Sequence, residues 1–180
     1  MHRRIVIGLL ENYAARFPAE RARLTQFVDF VHANERCFER DCWAGHVTGS
    51  AWLVNQTRDR VLLTHHKKLG RWLQLGGHSD GVADPLTVAI REAEEESGLD
   101  VIALESAVFD IDIHEIPARN SDPVHLHFDL RFALQTRDGD AFQVSAESHD
   151  LAWVNVRRLE DYTDEESVLR MSRKWLEVPP

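Results

Sequence analysis

Residues 76–99 read GGHSDGVADPLTVAIREAEEESGL, and the fold turns on this stretch. Asp84 and Pro85 open a helix. An aspartate carboxylate caps the free N–H groups of a first turn, and proline at the first helical position gives up a donor that would have no partner there. Gly98 closes the helix, because glycine takes the left-handed conformation at a C-terminal end without steric cost. The spacing therefore predicts a helix over 85–97, with Leu86, Ala89, Ile90 and Ala93 as the apolar stripe facing the core. At about 100° per residue, Glu92, Glu95 and Glu96 fall within an arc of about 100° along the edge of that stripe. Like charges so placed repel by roughly 0.2–0.5 kcal/mol per pair on an exposed helix, and by more where water is excluded. A Mg²⁺ or Mn²⁺ ion would turn that liability into a set of hard oxygen ligands.

Outward from the helix, Trp72–Leu75 reads as a short strand running into Gly76-Gly77, and residues 47–55 and 60–64 read as a hairpin turning at Thr57-Arg58-Asp59. Downstream, residues 108–116 place Phe109, Ile111 and Ile113 opposite Asp110, Asp112 and His114. Residues 124–134 likewise place Leu126, Phe128, Leu130 and Phe132 opposite His125, His127, Asp129 and Arg131. Such alternation marks strands, with the polar side expected at the solvent. Asp138-Gly139 signals a turn into a strand near 142–144, and residues 151–156 read as a last strand. Thr163, with Glu166 completing a capping box, starts a C-terminal helix. At the other end, residues 4–16 and 20–33 read as helices broken at Phe17-Pro18. Strands with helices inserted singly predict an α+β fold, a mixed β-sheet flanked by helices. An N-terminal helical extension over 1–45 precedes the main domain over 46–180; its apolar stripes suit a cap over a substrate cleft or a homodimer interface.

Composition narrows the partners. A formal net charge of −9 argues against binding to nucleic acid backbones or anionic lipid, though metal ions would still let an acidic site hold an anionic substrate. No apolar run approaches the ~20 residues of a membrane helix. The short apolar stretch at 5–10 ends at Glu11 and Asn12 without a cleavage signal, so a cytoplasmic protein is expected. Cys37 and Cys42 form no zinc-knuckle or disulfide pattern and are expected as reduced thiols.

Arg91-Glu92-Ala93-Glu94-Glu95-Glu96-Ser97-Gly98-Leu99, with Gly77 fourteen residues before the arginine, resembles the signature of the Nudix hydrolases in a Gly-Gly-His variant. The resemblance covers about residues 47–160. It implies an α/β/α sandwich and a divalent-metal-dependent pyrophosphohydrolase, in which water attacks phosphorus and splits a diphosphate linking a nucleoside diphosphate to another moiety. It implies Glu95 and Glu96 as metal ligands, Glu92 as ligand or base, the Gly76 carbonyl as a further ligand, and Arg91 as the residue that orients the glutamates. Glu147, six residues before Trp153, matches a further catalytic carboxylate. Mg²⁺ or Mn²⁺ is the implied cofactor and a small nucleotide-like diphosphate the partner. The sequence departs from the signature at Ala83, where a glutamate is usual; Asp84 beside it is better used as the helix cap.

Ten histidines are many for 180 residues. His78 directly succeeds the glycine pair. His125, His127 and Asp129 share one strand side, and His114 takes the polar side of the neighbouring strand. As a cluster facing the glutamate helix, His78, His125, His127 and Asp129 are candidates to touch substrate phosphate. Two rival readings differ in class. Isopentenyl diphosphate isomerase shares the fold but needs a cysteine where Gly76 stands. A non-catalytic nucleotide sensor usually loses some of the glutamates, whereas Glu92, Glu95 and Glu96 are all here.

Overall fold

A computed structural model describes residues 2–67, 69–119, 122–146 and 148–177. Helices α1 (Arg4–Arg16) and α2 (Arg21–Ala33) are separated by a 3-10 turn at Pro18–Glu20. Then come strands β1 (His46–Val54), β2 (Arg60–His66), β3 (Arg71–Leu73) and β4 (Leu75–His78), helix α3 (Pro85–Ser97), and strands β5 (Val101–Ala103), β6 (Asp110–Ile116), β7 (His125–Thr136) and β8 (Ser148–Asn155). Helix α4 (Glu166–Glu177) closes the order.

The eight strands form one sheet. β1 lies parallel to β7 and antiparallel to β2 and β4; β5 and β6 pair with β7, and β3 and β8 pair with β2. Pleating sends alternate side chains to opposite faces, and each face meets a different layer. On one face Val47, Ala51, Leu53, Phe128, Leu130 and Phe132 pack against Ala89 and Ala93 of α3 and against Leu10, Phe27 and Phe30 of the first two helices. Phe30 stacks on Phe128 with ring centroids 3.7 Å apart. On the other face Trp52, Val54 and Ala133 pack beneath Val168, Met171 and Trp175 of α4. This is an α/β/α sandwich, as expected. The apolar stripes of α1 and α2 pack into the chain's own core through Val6, Leu10, Phe27, Phe30 and Val31.

Two local expectations are corrected, and one strand is added. Residues 142–144 form no strand: Gln143 N–H donates to Ser97 O at 2.7 Å and Phe142 packs into the core, which ties this segment to the end of α3 as a loop. The neighbour of β7 at that end is instead β5, whose three residues are too few to show a period. The capping box at α4 does not close, because Glu166 pairs with Arg173, although Thr163 Oγ1 accepts from Glu165 N at 3.2 Å. Among the described residues no helix is long and apolar enough to cross a membrane.

Candidate functional site

Helix α3 brings its glutamates to β4. Asp84 caps it as the sequence indicates: its carboxylate accepts from Leu86 N at 3.2 Å and from Thr87 Oγ1 at 2.8 Å. The helix then runs over β1 and β4 where both carry glycine. A Cβ on Gly49 would lie 2.5 Å from Pro85 O and 2.9 Å from Val88 Cβ, so only hydrogen lets the helix approach this closely. A Cβ on Gly77 would lie 2.5 Å from the carboxyl carbon of Glu92. The glutamate head therefore rests in a cradle left by the missing side chain.

Each carboxylate has a distinct setting. Glu92 accepts from Arg91 at 2.6 Å, and the same Arg91 nitrogen donates to His78 O at 2.8 Å. The Glu92 carboxylate in turn holds the Arg91 guanidinium above its ordinary pKa. Glu96 is 9% exposed, and its Oε1 accepts from Gly76 N–H at 2.9 Å. Glu95 is exposed. Among the described residues, the oxygens of Glu92, Glu95 and Glu96 do not all lie within 4.8 Å of one another. Carboxylate oxygens beside the Gly76-Gly77 backbone, with the Gly77 cradle, suit a hard divalent cation. Glu147 lies outside the described residues.

The histidines lie elsewhere than expected. Since Gly49 and Gly77 face α3, pleating turns His46, Thr48 and His78 to the opposite side of the sheet. There the register lines up four rows across β1, β7 and β6. Trp52 is beside Ala133 in the first row. Ser50, Arg131 and Asp110 form the second, Thr48, Asp129 and Asp112 the third, and His46, His127 and His114 the fourth. The α4 face thus passes from apolar to ionic to imidazole along the strands. The expectation that the histidines face the glutamate helix is overturned by this register.

The middle rows are not solvated either. Asp110 is 0% and Arg131 1% exposed. Arg131 pairs with Asp129 at 2.8 Å and with Asp110 and Asp112 at 3.3 Å each. From α4, Arg170 reaches Asp110 at 2.7 Å and Asp112 at 3.0 Å, and Lys174 reaches Asp110 at 2.7 Å, Glu20 at 2.8 Å and the Tyr13 hydroxyl at 2.6 Å. Burial alone would raise the carboxyl of Asp110, but Arg170, Arg131 and Lys174 hold it below the usual range; His114, Arg131 and Arg170 do the same for Asp112. Asp129 accepts from Thr48 Oγ1 and Ser50 Oγ at 2.8 Å each, from Arg131, and from Gln74 Nε2 at 3.4 Å. Its carboxylate belongs to this internal network.

In the fourth row, ring centroids lie 4.7 Å apart for His46 and His127, 4.9 Å for His46 and His125, and 5.0 Å for His78 with either His46 or His127. Burial, then the neighbouring imidazoles and Arg40, pushes His46 and His78 down to about 4, and burial with the neighbouring imidazoles pushes His127 lower still, so these three rings are neutral at pH 7. His46, just ahead of the first predicted strand, escaped the sequence reading. The alternation His46, Thr48, Ser50 could have placed it on the polar face.

Two surface depressions, of 280 Å³ beside Arg71, Trp72 and Tyr162 and of 390 Å³ beside Arg3, Ile7 and His32, contain none of these residues.

The family model described as NUDIX domain matches residues 45–175. Among solved structures, a NUDIX-family hydrolase from Clostridium perfringens is 26% identical, with a TM-score of 0.54 over 72% of this chain and 95% of that one. The E. coli dihydroneopterin triphosphate pyrophosphohydrolase is 17% identical, with a TM-score of 0.57 over 72% and 93%. A C. elegans Ap4A hydrolase is 16% identical, with a TM-score of 0.56 over 72% and 94%. The last two, at such identity, bear on the fold alone. No curated protein matches.

Proposed function

Because this chain belongs to the Nudix family and is a pyrophosphohydrolase, we propose that it cleaves, by attack of water at phosphorus, the diphosphate of a nucleoside diphosphate linked to another moiety. The observation that carries this reading is the seating of α3 on β4, with Glu96 on the Gly76 N–H and Glu92 in the Gly77 cradle.

Glu92, Glu95, Glu96 and the Gly76 carbonyl would hold Mg²⁺ or Mn²⁺. When bound, the cation supplies neutralisation of the diphosphate oxygens and acidification of the attacking water. The remaining chemistry belongs to the chain. Arg91 fixes Glu92 and is itself anchored by the His78 carbonyl, so the carboxylate is held in one orientation beside the strand. Glu92 so positioned serves as a ligand or as the base that accepts the water's proton. Glu147 is assigned a supporting catalytic role. We keep the division into an extension over 1–45 and a Nudix domain over 46–180, with the extension contributing to the core. The isomerase reading lacks its cysteine at Gly76, and the sensor reading leaves three retained glutamates without a purpose.

The test is a screen of nucleotide sugars, ADP-ribose, dinucleotide polyphosphates and nucleoside triphosphates in ¹⁸O-water with Mg²⁺ or Mn²⁺. Turnover of a linked nucleoside diphosphate, with label in a product phosphate, is expected. EDTA should abolish it and the cation restore it. Glu95→Gln and Glu96→Gln should each lower kcat by at least about a hundredfold without changing Tm. Near-normal rates in both variants would remove the site assignment.

A further inference from the structure

The fourth row of the α4 face is chemically unlike the rest of the molecule. His46 is 2% exposed, and neither of its ring nitrogens has a partner at good hydrogen-bond geometry, the Cys42 backbone acting on the ring only weakly; His127 Nε2 is likewise buried and unpartnered. A neutral imidazole carries one N–H and one lone pair, and burying both without partners is unfavourable. Natural interiors avoid this unless something absent from the bare chain completes the site. His125 is set differently. Its Nδ1 sits 2.8 Å from Pro123 O, a carbonyl that can only accept, so the proton is on Nδ1 and the Nε2 lone pair is directed away from it. A backbone carbonyl behind one ring nitrogen is the arrangement that orients a metal-binding imidazole.

Among the described residues, His46, His125 and His127 are the only set of three metal-binding side chains whose ligand atoms all lie within 4.8 Å of one another. The geometry points to a second cation site, distinct from the glutamates, in which these three imidazoles bind a Zn²⁺-class transition metal. Imidazole nitrogen favours such ions, whereas Mg²⁺ prefers oxygen, so the two sites sort their cations by donor chemistry. Three rings leave a fourth tetrahedral position open, and His78 borders it. The register makes the site possible: the parallel ladder sets His46 opposite His127, and the Pro123 carbonyl fixes His125 beside them. It also sets it on the sheet face opposite α3.

Co²⁺ distinguishes the two donor sets, because nitrogen-ligated tetrahedral Co²⁺ absorbs visible light far more strongly than oxygen-ligated octahedral Co²⁺. The full chain, stripped with chelator, should take up one equivalent of Co²⁺ with an intense visible band that Zn²⁺ then displaces. The band should persist in a Glu95→Gln/Glu96→Gln double variant. In His46→Asn and His127→Gln, affinity should fall by at least about a hundredfold, more than losing the hydrogen-bond partner behind a ligand costs. Absence of the band, wild-type affinity in the histidine variants, or loss of the band with the glutamate changes would overturn the assignment. Should both histidine variants fail to fold, crystals of the native chain soaked in Zn²⁺ decide. An anomalous peak among the three rings at the zinc edge upholds the site, and none refutes it.

Discussion

Two glycines on neighbouring strands face the same helix and predict opposite consequences. An alanine methyl at Gly77 would meet the end of the Glu92 side chain, which can swing aside. Gly77→Ala should therefore leave Tm nearly unchanged while lowering kcat by about a hundredfold, the usual effect of moving a reacting group by an ångström. At Gly49 the methyl would meet the Pro85 carbonyl at 2.5 Å and Ala89 N at 3.1 Å, backbone that cannot yield. Gly49→Ala should destabilise by about 1–3 kcal/mol as α3 is levered from the sheet. Thermal unfolding and steady-state kinetics on the pair separate the two roles. Both glycines are visible in the sequence, but only Gly77 is legible there as part of the site. Its place is fixed by distance along the chain from Arg91, whereas that of Gly49 depends on a helix docking from elsewhere.

The elements whose signals are local are the ones best specified by sequence. Helix α3 begins and ends where its proline and glycine require, and Asp84 caps it. Asp84→Ala should cost about 1 kcal/mol, or about 2–4 °C in Tm for a chain of this size, by circular dichroism melting. Strand β5 and the 142–144 loop are not legible in the sequence, for two reasons. Three residues carry no period, and the turn signal at Asp138-Gly139 does not distinguish a strand from a loop beyond it. The polar sides of β6 and β7 were the larger error. Period-two alternation says that two faces differ; it does not say that the polar one is wet. Here α4 lies over it, and Arg170 and Lys174 arrive from 58 to 64 residues further on to neutralise Asp110 and Asp112. For the same reason the histidines were seen as a group but assigned to the wrong side of the sheet, since the assignment depends on the register of β1 against β7.

At the scale of the whole molecule, the buried charges join parts that the apolar cores keep separate. Lys174 on α4 touches Tyr13 of α1, Glu20 of the adjoining turn and Asp110 of β6. Removing one member leaves the others buried and unpaired, so Asp110→Asn should destabilise by about 3–5 kcal/mol. The pH dependence has a definite sign. Asp110 and Asp112 are held below the ordinary value of 3.8 in the folded state, so their stabilisation is complete above that pH and is lost as pH falls below it. Stability measured by denaturant titration should therefore drop steeply below about pH 4 in the native chain. Asp110→Asn should start lower and descend less steeply. Equal slopes in the two proteins would exclude the network as the source of the acid limb.

The parallel pairing of β1 with β7 also bears on how the chain is made. A strand near the start of the sheet must wait, through the synthesis of the whole glutamate helix, for the partner that completes its hydrogen bonds. Nascent chain in that interval carries a finished α3 over a sheet with an open edge, the kind of surface that chaperones hold and that pairs wrongly when it is not held. Even after β7 emerges, the acids beneath α4 lack two of their three cations until α4 itself is clear of the ribosome. Maturation should thus be abrupt and late, with protease resistance gained only once Lys174 has left the exit tunnel.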